Sequence, residues 1–156
     1  MIAFQMRMTT NQVTKAVLNR ILRETNREAG DWIVEKILPA KFEVSAYHEG
    51  TAEPRTRQYV ERKRKKVGHN KPLVYSGETR RFVLANARVT ATANRGRVKI
   101  KAPFPMPAKM RQELEAVSPR QSDRLADFMV RTLTQKLEAP ENQRKRRRRN
   151  SAGQSI

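Results

Sequence analysis

The 156-residue sequence contains no cysteine, so disulfide bonds and thiolate chemistry are excluded. It also contains no run of about 18 apolar residues, the length that a transmembrane helix needs. The N-terminal segment MIAFQMRMTT has a short apolar stretch and no small-residue cleavage site, which argues against a signal peptide. We therefore expect a soluble protein that is assembled inside the cell.

Apolar residues are scarce as well. Only 37% of the residues are hydrophobic and 6% are aromatic, with a single tryptophan. A mean hydropathy of −0.82 is low for a chain that must bury a core of its own. Two interpretations follow, a partly disordered chain or a protomer that completes its burial against neighbouring molecules.

Acidic residues are too few to balance the basic ones. The sequence has 34 lysines and arginines against 15 aspartates and glutamates, which gives a net charge of +19. Residues 138–156 contribute +4 of this charge, so the rest of the chain is itself basic. Charge of this size weakens a compact monomer by self-repulsion and strengthens its attraction to polyanions.

The first third of the chain predicts a strand and a long helix. Apolar residues alternate in MIAFQMRM, which is typical of a strand. An apolar stripe at helical spacing then indicates one helix over residues 10–38, with Gly30 as the position where a bend or break would fall. Pro39 ends this helix because proline cannot continue it. The connection that follows includes a possible short strand at Phe42–Val44.

A long basic loop at residues 50–76 is the most cationic part of the predicted domain. Seven of the twelve residues from Arg55 to Lys66 are basic, and few apolar residues accompany them. We expect this segment to form a helix or an ordered loop on an exposed rim. Its candidate contact residues for DNA or an acidic partner are Arg55, Arg57, Arg62, Lys63, Arg64, Lys65 and Lys66.

Alternation over residues 82–102 predicts a β-hairpin. Val83, Ala85, Ala87 and Val89 would share one face of the first strand, and Val98, Ile100 and Ala102 one face of the second. The sequence ANRG at 93–96 is suited to the turn. The pleat then places a cationic stripe on the outer face, formed by Arg88, Arg97, Lys99 and Lys101.

The C-terminal part predicts two helices and a tail. MRQELEAV is a short helix, and Ser118, Pro119 and Gln121 form the start signal of a longer one over residues 119–138. Pro140 stops that helix, so we place one domain at residues 1–139 and a tail at 140–156. The tail is basic and of low complexity, with Arg144, Lys145, Arg146, Arg147, Arg148 and Arg149 in one run.

No pattern of catalytic or metal-binding residues is present. His48 and His69 have no partner at a ligand spacing, and the YSG at 75–77 lacks the glycine that precedes a nucleophilic serine in the corresponding elbow motif. A glycine-rich phosphate loop is also absent from the sequence. We therefore expect a protein that is not an enzyme and uses neither a cofactor nor a metal.

The basic segments allow several interpretations. Four interpretations of the run at 144–149 stay open. It is a solvated tail, a segment that binds nucleic acid, a nuclear localisation signal or a segment that binds an acidic protein surface. Zinc ligands and an aromatic-rich strand for base stacking are missing from the sequence. Any contact with nucleic acid would therefore be independent of base sequence.

The order of these segments resembles the neck and tail-completion proteins of tailed double-stranded DNA bacteriophages. In that family a Pro-Leu segment, a small hydroxyl residue and a glycine close a long loop that leads into the sheet. Within YVERKRKKVGHNKPLVYSGETRR, the matching loop-anchor positions are Pro72, Leu73, Ser76 and Gly77. The resemblance extends over residues 10–137, although the family often has a leucine where this chain has Thr79.

The resemblance implies an α+β protomer, with a small antiparallel sheet backed by helices, that forms a sixfold or twelvefold ring at the head–tail junction. The ring would be a tail terminator or a connector layer, in contact with portal or adaptor and tail proteins and with packaged DNA. The protein would thus belong to the virion, after assembly in the host cytoplasm. The loop at 50–76 would reach adjacent subunits, and the hairpin would pair subunits or line the channel.

Two alternatives to this ring protein stay open at the level of the sequence. The first is a minor capsid protein, another tail component or an assembly factor of the same particle. The second is a free nucleic-acid-binding protein that uses the tail and the Arg55–Lys66 segment as clamps.

Overall fold

The computed structural model describes residues 2–4, 14–74, 77–102 and 104–139 and has an α+β fold, so the predicted fold class is confirmed. Its elements, in chain order, are β1 (Ile2–Phe4), α1 (Lys15–Trp32), a π-helical turn (Ile33–Ile37), α2 (Leu38–Ala40), α3 (Ser45–His48), α4 (Arg57–Val67), α5 (Glu78–Asn86), β2 (Arg88–Ala91), β3 (Gly96–Lys99), α6 (Ala108–Glu115) and α7 (Pro119–Glu138).

The long helices α1 and α7 pack against each other. Ile21 and Leu22 of α1 are buried together with Leu133 of α7. At the other end of the contact, the ring of Trp32 stacks on that of Phe128, with 5.7 Å between the centroids. This pairing explains the apolar stripes of both helices, because each stripe faces the other helix and the sheet.

The N-terminal helical region begins at Lys15 and continues through Pro39 to Ala40, so the prediction that Pro39 ends the helix is wrong. The predicted helix is confirmed from Lys15 onward, and its residues 10–13 lie outside the described part of the chain. It does not break at Gly30. The backbone N–H of Leu38 donates to the carbonyl of Ile33, five residues earlier, which makes the turn π-helical. In a regular α-helix the ring of Pro39 would clash with the carbonyl four residues before it, and the widened turn lies directly ahead of this proline.

The sheet has three strands in the order β1-β3-β2, and both pairs are antiparallel. Val98 of the central strand lies opposite Ile2 of β1 and Val89 of β2. Val98 is fully buried and packs against Ala29 and Ile33. One face of the sheet is therefore covered by the N-terminal helical region, and the other face is left for the charged residues.

The hairpin is shorter than predicted because its first half is a helix. Residues 83–86 belong to α5, so the prediction of a strand there is wrong, and β2 begins only at Arg88. Alternating alanines do not distinguish a strand from a helix, and the helix buries Val83 beside Leu114. The short strand considered at Phe42–Val44 is also wrong, since these residues form turns that lead into α3.

A buried lysine connects α2 with the start of α7. Lys41 is 1% exposed, and its Nζ donates to the carbonyl of Ala116 and, at 3.4 Å, to Oε1 of Gln121. Gln121 also completes the predicted capping box with Ser118 at the start of α7, which is confirmed. Burial lowers the pKa of Lys41 to about 8, and the carboxylate of Glu49 acts in the opposite direction.

Candidate cationic interface

The outer face of the hairpin carries cations from both strands. In the antiparallel register Arg88 lies directly opposite Lys99, and Thr90 lies opposite Arg97. Arg88, Arg97 and Lys99 are exposed, because the alternation of the pleat sends Val89 and Val98 to the other face. Lys101 is also exposed and follows the end of β3.

Arg88, Arg97 and Lys99 line one open cleft of about 600 Å³, the sheet cleft, and Lys101 is not among its lining residues. Arg111 of α6 also lines the cleft, and Ile100, Phe104 and Met106 are among its apolar lining residues. Arg111 was not among the predicted contact residues. No signal in the sequence marks it, because the approach of α6 to the sheet depends on tertiary packing.

Elsewhere on the protein, many cations are matched by carboxylates. Glu43 binds both Lys71, at 2.7 Å, and Arg80, at 3.2 Å, and Glu28 binds Lys136 at 2.8 Å. Among the residues that the structure describes, no ion pair forms to the four cations of the sheet cleft, which are Arg88, Arg97, Lys99 and Arg111. This face therefore groups four cations, none of which has a carboxylate partner among the described residues, around one cleft.

The predicted basic segment forms helix α4. Thr56 caps its start by accepting a hydrogen bond from the N–H of Tyr59, and Gly68 ends it in the left-handed conformation, with φ of 74°. Of the eleven residues of α4, only Lys63 is buried. The predicted contact residues exposed on this helix are Arg57, Arg62, Arg64, Lys65 and Lys66.

Two of the predicted contact residues make internal contacts instead of facing solvent. The guanidinium of Arg55 lies 2.7 Å from each carboxylate oxygen of Glu113, which is buried. The ammonium group of Lys63 donates to the carbonyl of Lys71 and lies 5.8 Å from the centre of the Tyr59 ring. Burial, followed by the positive charge of Arg55, lowers the pKa of Lys63.

The predicted loop anchor lies between α4 and α5, and its described residues Pro72 and Leu73 form a turn. Pro72 is fully buried, and Leu73 has a positive φ of 56°, which is unusual for a residue other than glycine. Gly77 has φ of 81° and caps the start of α5. Ser76 lies outside the described residues, as does the basic run from Arg144 to Arg149. The chain therefore turns at Pro72 and Leu73 after the basic helix α4, and α5 then leads into strand β2 of the sheet.

The described ranges contain no group of three or more histidine, aspartate or glutamate side chains placed to hold a metal ion. Within the same ranges, none of the helices has the length and apolar character needed to cross a membrane. Comparisons of the chain with protein-family models, with curated proteins and with solved structures find no match.

Proposed function

We propose that this chain is a structural virion protein of a tailed double-stranded DNA phage, and that identical copies form a ring at the head–tail junction. The proposal starts from the resemblance of residues 10–137 to neck and tail-completion proteins. The observation that carries it furthest is helix α4, which is folded and capped but almost unburied.

Helix α4 buries little of its surface against its own protomer. An isolated helix of this length is marginal in water, and most helical stability in proteins comes from tertiary packing. Yet α4 buries only Lys63, and Tyr59 on the same helix is 40% exposed. Such a helix is suited to be covered by a neighbouring subunit, as expected of an arm in a ring.

An apolar cleft beside α4 offers a place for that neighbour. Tyr59 and Phe104 are two of the three large hydrophobic side chains that are exposed in the described part of the chain, and both line this cleft of about 540 Å³. Three basic residues line this cleft: Arg55 and Lys109 have the carboxylates of Glu113 and Glu53 as partners, and Lys63 donates to the carbonyl of Lys71. Its cations bind groups within the protomer and its apolar side chains are exposed, so this cleft is suited to bind the surface of another protein.

In the ring, α4 and this cleft would contact the adjacent copy or the next layer of portal, adaptor or tail proteins. A chain with little apolar material and a large positive charge gains burial from such contacts. Contacts between two different surfaces of the same protomer produce a ring when the rotation from one copy to the next closes around a common axis.

The proposal is tested by charge reversal on the exposed side of α4. We expect Arg62→Glu with Lys65→Glu to reduce the mass of the assembled species, measured by size-exclusion chromatography with light scattering, and to deplete the protein from purified particles. The control variant Arg62→Lys with Lys65→Arg keeps the charge and should assemble normally. A wild-type chain that stays monomeric at all concentrations and is absent from particles would sink the proposal.

A free nucleic-acid-binding protein is the second candidate, and the exposed cations Arg62, Arg64 and Lys65 of α4 favour it. In that case the chain would bind duplex DNA as a monomer or dimer, with log affinity that falls steeply against log salt. A ring component is held by apolar contacts and should stay in particles at high salt. Particle composition after a high-salt wash separates the two functions.

A further inference from the structure

We propose that the sheet cleft is a binding site for the phosphodiester backbone of nucleic acid, independent of base sequence. Its ligands are the side chains of Arg88, Arg97 and Lys99 on the sheet and Arg111 on α6. The inference does not rest on ring formation, because the site is complete within one protomer.

The first argument is the electrostatic cost of the arrangement. Like charges directly opposite each other on neighbouring strands destabilise a sheet, and the register places Arg88 opposite Lys99. Arg97 is two residues from Lys99 on the same face of β3, and Arg111 adds a further positive charge to the lining of the cleft. A bound polyanion removes this repulsion.

The second argument is the contrast with the places where cations are paired with carboxylates. Carboxylates are positioned beside the cations at Glu43, Glu113 and Glu53, where the pairs contribute to the fold. Of the residues described as lining the sheet cleft, Glu115 is the single carboxylate, against four cations. The face therefore has the charge composition of a phosphate-binding surface and not that of a protein surface balanced within itself.

The third argument is geometric. Alternate residues of a strand are on the order of 7 Å apart, because each residue adds about 3.3 Å. This spacing, between Arg97 and Lys99, is comparable to that of successive phosphates in an extended polynucleotide strand. The cleft is open at the surface, so a continuous chain can lie along it where a closed pocket would admit only a small anion.

The donors also fit this ligand and give no base specificity. Arginine and lysine are pure donors, and phosphate oxygens are pure acceptors. The hydroxyl of Thr90 adds a further neutral donor to the lining. Paired amide side chains that read adenine are not among the described lining residues, which is consistent with contacts that position a backbone without reading its sequence.

The experiment compares two full-length variants that lose the same charge. The cleft variant has Gln at four positions, Arg88, Arg97, Lys99 and Arg111. The matched control has Gln at four exposed arginines of α1 and α7, Arg23, Arg27, Arg124 and Arg131. Both variants keep the basic tail, so its contribution to binding is the same in each. Binding to a duplex oligonucleotide, to a single strand of the same length and to polyglutamate is measured by fluorescence anisotropy over a range of salt concentrations.

We expect the cleft variant to bind duplex DNA more weakly than wild type and with a salt dependence shallower by about 3 to 4 in the slope of log K against log salt, since each neutralised phosphate contributes about 0.9. The control variant should change this slope by less than about 1. A third variant, Arg97→Lys with Lys99→Arg, keeps both charges and should retain the wild-type slope. Comparison of duplex with single strand identifies which form of the backbone is preferred.

Equal losses in the cleft and control variants would overturn the site, because net charge would then explain the binding. So would a wild-type chain that fails to bind nucleic acid at low salt. If the cleft variant loses polyglutamate binding while its affinity for both nucleic acids is unchanged, the surface is an acidic-protein site and the assignment to phosphodiesters is wrong. None of these outcomes depends on light-scattering mass, so failure of this inference and failure of the ring proposal are separable.

Discussion

Gly30 of α1 and Val89 of β2 lie so close together that a Cβ atom on residue 30 would overlap Cγ1 of the valine. The helix backbone therefore rests directly on the sheet at this point. Gly30 is buried within a helix that continues past it, so its role is to permit this approach and not to break the helix. The position of the sheet against α1, and hence of the cationic face on its other side, depends on this contact.

Gly30→Ala should destabilise the protein despite the better helix propensity of alanine. Alanine would gain about 1 kcal/mol from propensity, but overpacking typically costs about 1–3 kcal/mol, so we expect a net loss of up to about 2 kcal/mol in the free energy of unfolding. In a Val89→Ala background the overlap is removed, and the same substitution should be neutral or stabilising. Urea denaturation of all four proteins measures the coupling. An equal effect in both backgrounds would contradict the close contact.

The burial of Lys41 predicts a rise in stability at alkaline pH. Its pKa is about 8 in the folded protein, against 10.5 for an ordinary lysine, so the folded state releases this proton first as pH increases. The free energy of unfolding should therefore rise between about pH 8 and pH 10.5, by about 3 kcal/mol at most, and be insensitive to this group below that window.

The matched variant is Lys41→Met, which keeps a long side chain without the titrating group. The difference in unfolding free energy between wild type and this variant, followed against pH, isolates Lys41 from other titrations. A difference that stays constant from about pH 7 to pH 10.5 would show that the lysine is not held in the buried position.

The ion pair of Arg55 with Glu113 should stabilise the fold more than the pair of Arg57 with Glu61. Glu113 is buried, and removal of Arg55 leaves its charge without its partner, whereas Arg57 is 93% exposed. We expect Arg55→Met to cost about 2–4 kcal/mol in the free energy of unfolding and Arg57→Met less than about 0.5 kcal/mol. Adding Glu113→Gln to the first variant should recover part of the loss. Similar losses of unfolding free energy in Arg55→Met and Arg57→Met would contradict the prediction that the buried pair stabilises the fold more.

Asn26 should control the mobility of the hairpin loop. Its side-chain N–H groups donate to the carbonyls of Thr92, at 2.9 Å, and Ala93, at 3.2 Å. We expect Asn26→Ala to cost about 1–3 kcal/mol and to accelerate amide hydrogen exchange in residues 92–95. Asn86→Ala removes an amide that bonds only within α5, to the carbonyl of Phe82, and should leave exchange in the loop unchanged.

Elements with strong local signals were predicted well from the sequence. Helix α7 has a capping box at Ser118 and Gln121 and a clean apolar stripe, and the structure reproduces both its start and its end. The orientation of Arg97 and Lys99 followed from the alternation around Val98. These features depend on residues near each other in the chain, which is why sequence reasoning reaches them.

Features that depend on distant contacts were missed. Residues 83–86 alternate as a strand would, but burial of Val83 beside Leu114 selects a helix. Arg111 reaches the sheet cleft through the packing of α6, and Arg55 is occupied by a carboxylate 58 residues away. Sequence alone could therefore predict which residues are cationic, but not which of them are compensated inside the protein.

Strand β2 is only four residues long and is paired on one side, by β3, within the described sheet. An unpaired strand edge is a template for uncontrolled addition of further strands and so for aggregation. Arg88 at the start of this edge and the brevity of the strand both discourage such addition. A concentrated solution of the protein should consequently resist amyloid-like growth, and replacement of Arg88 by valine should weaken that protection.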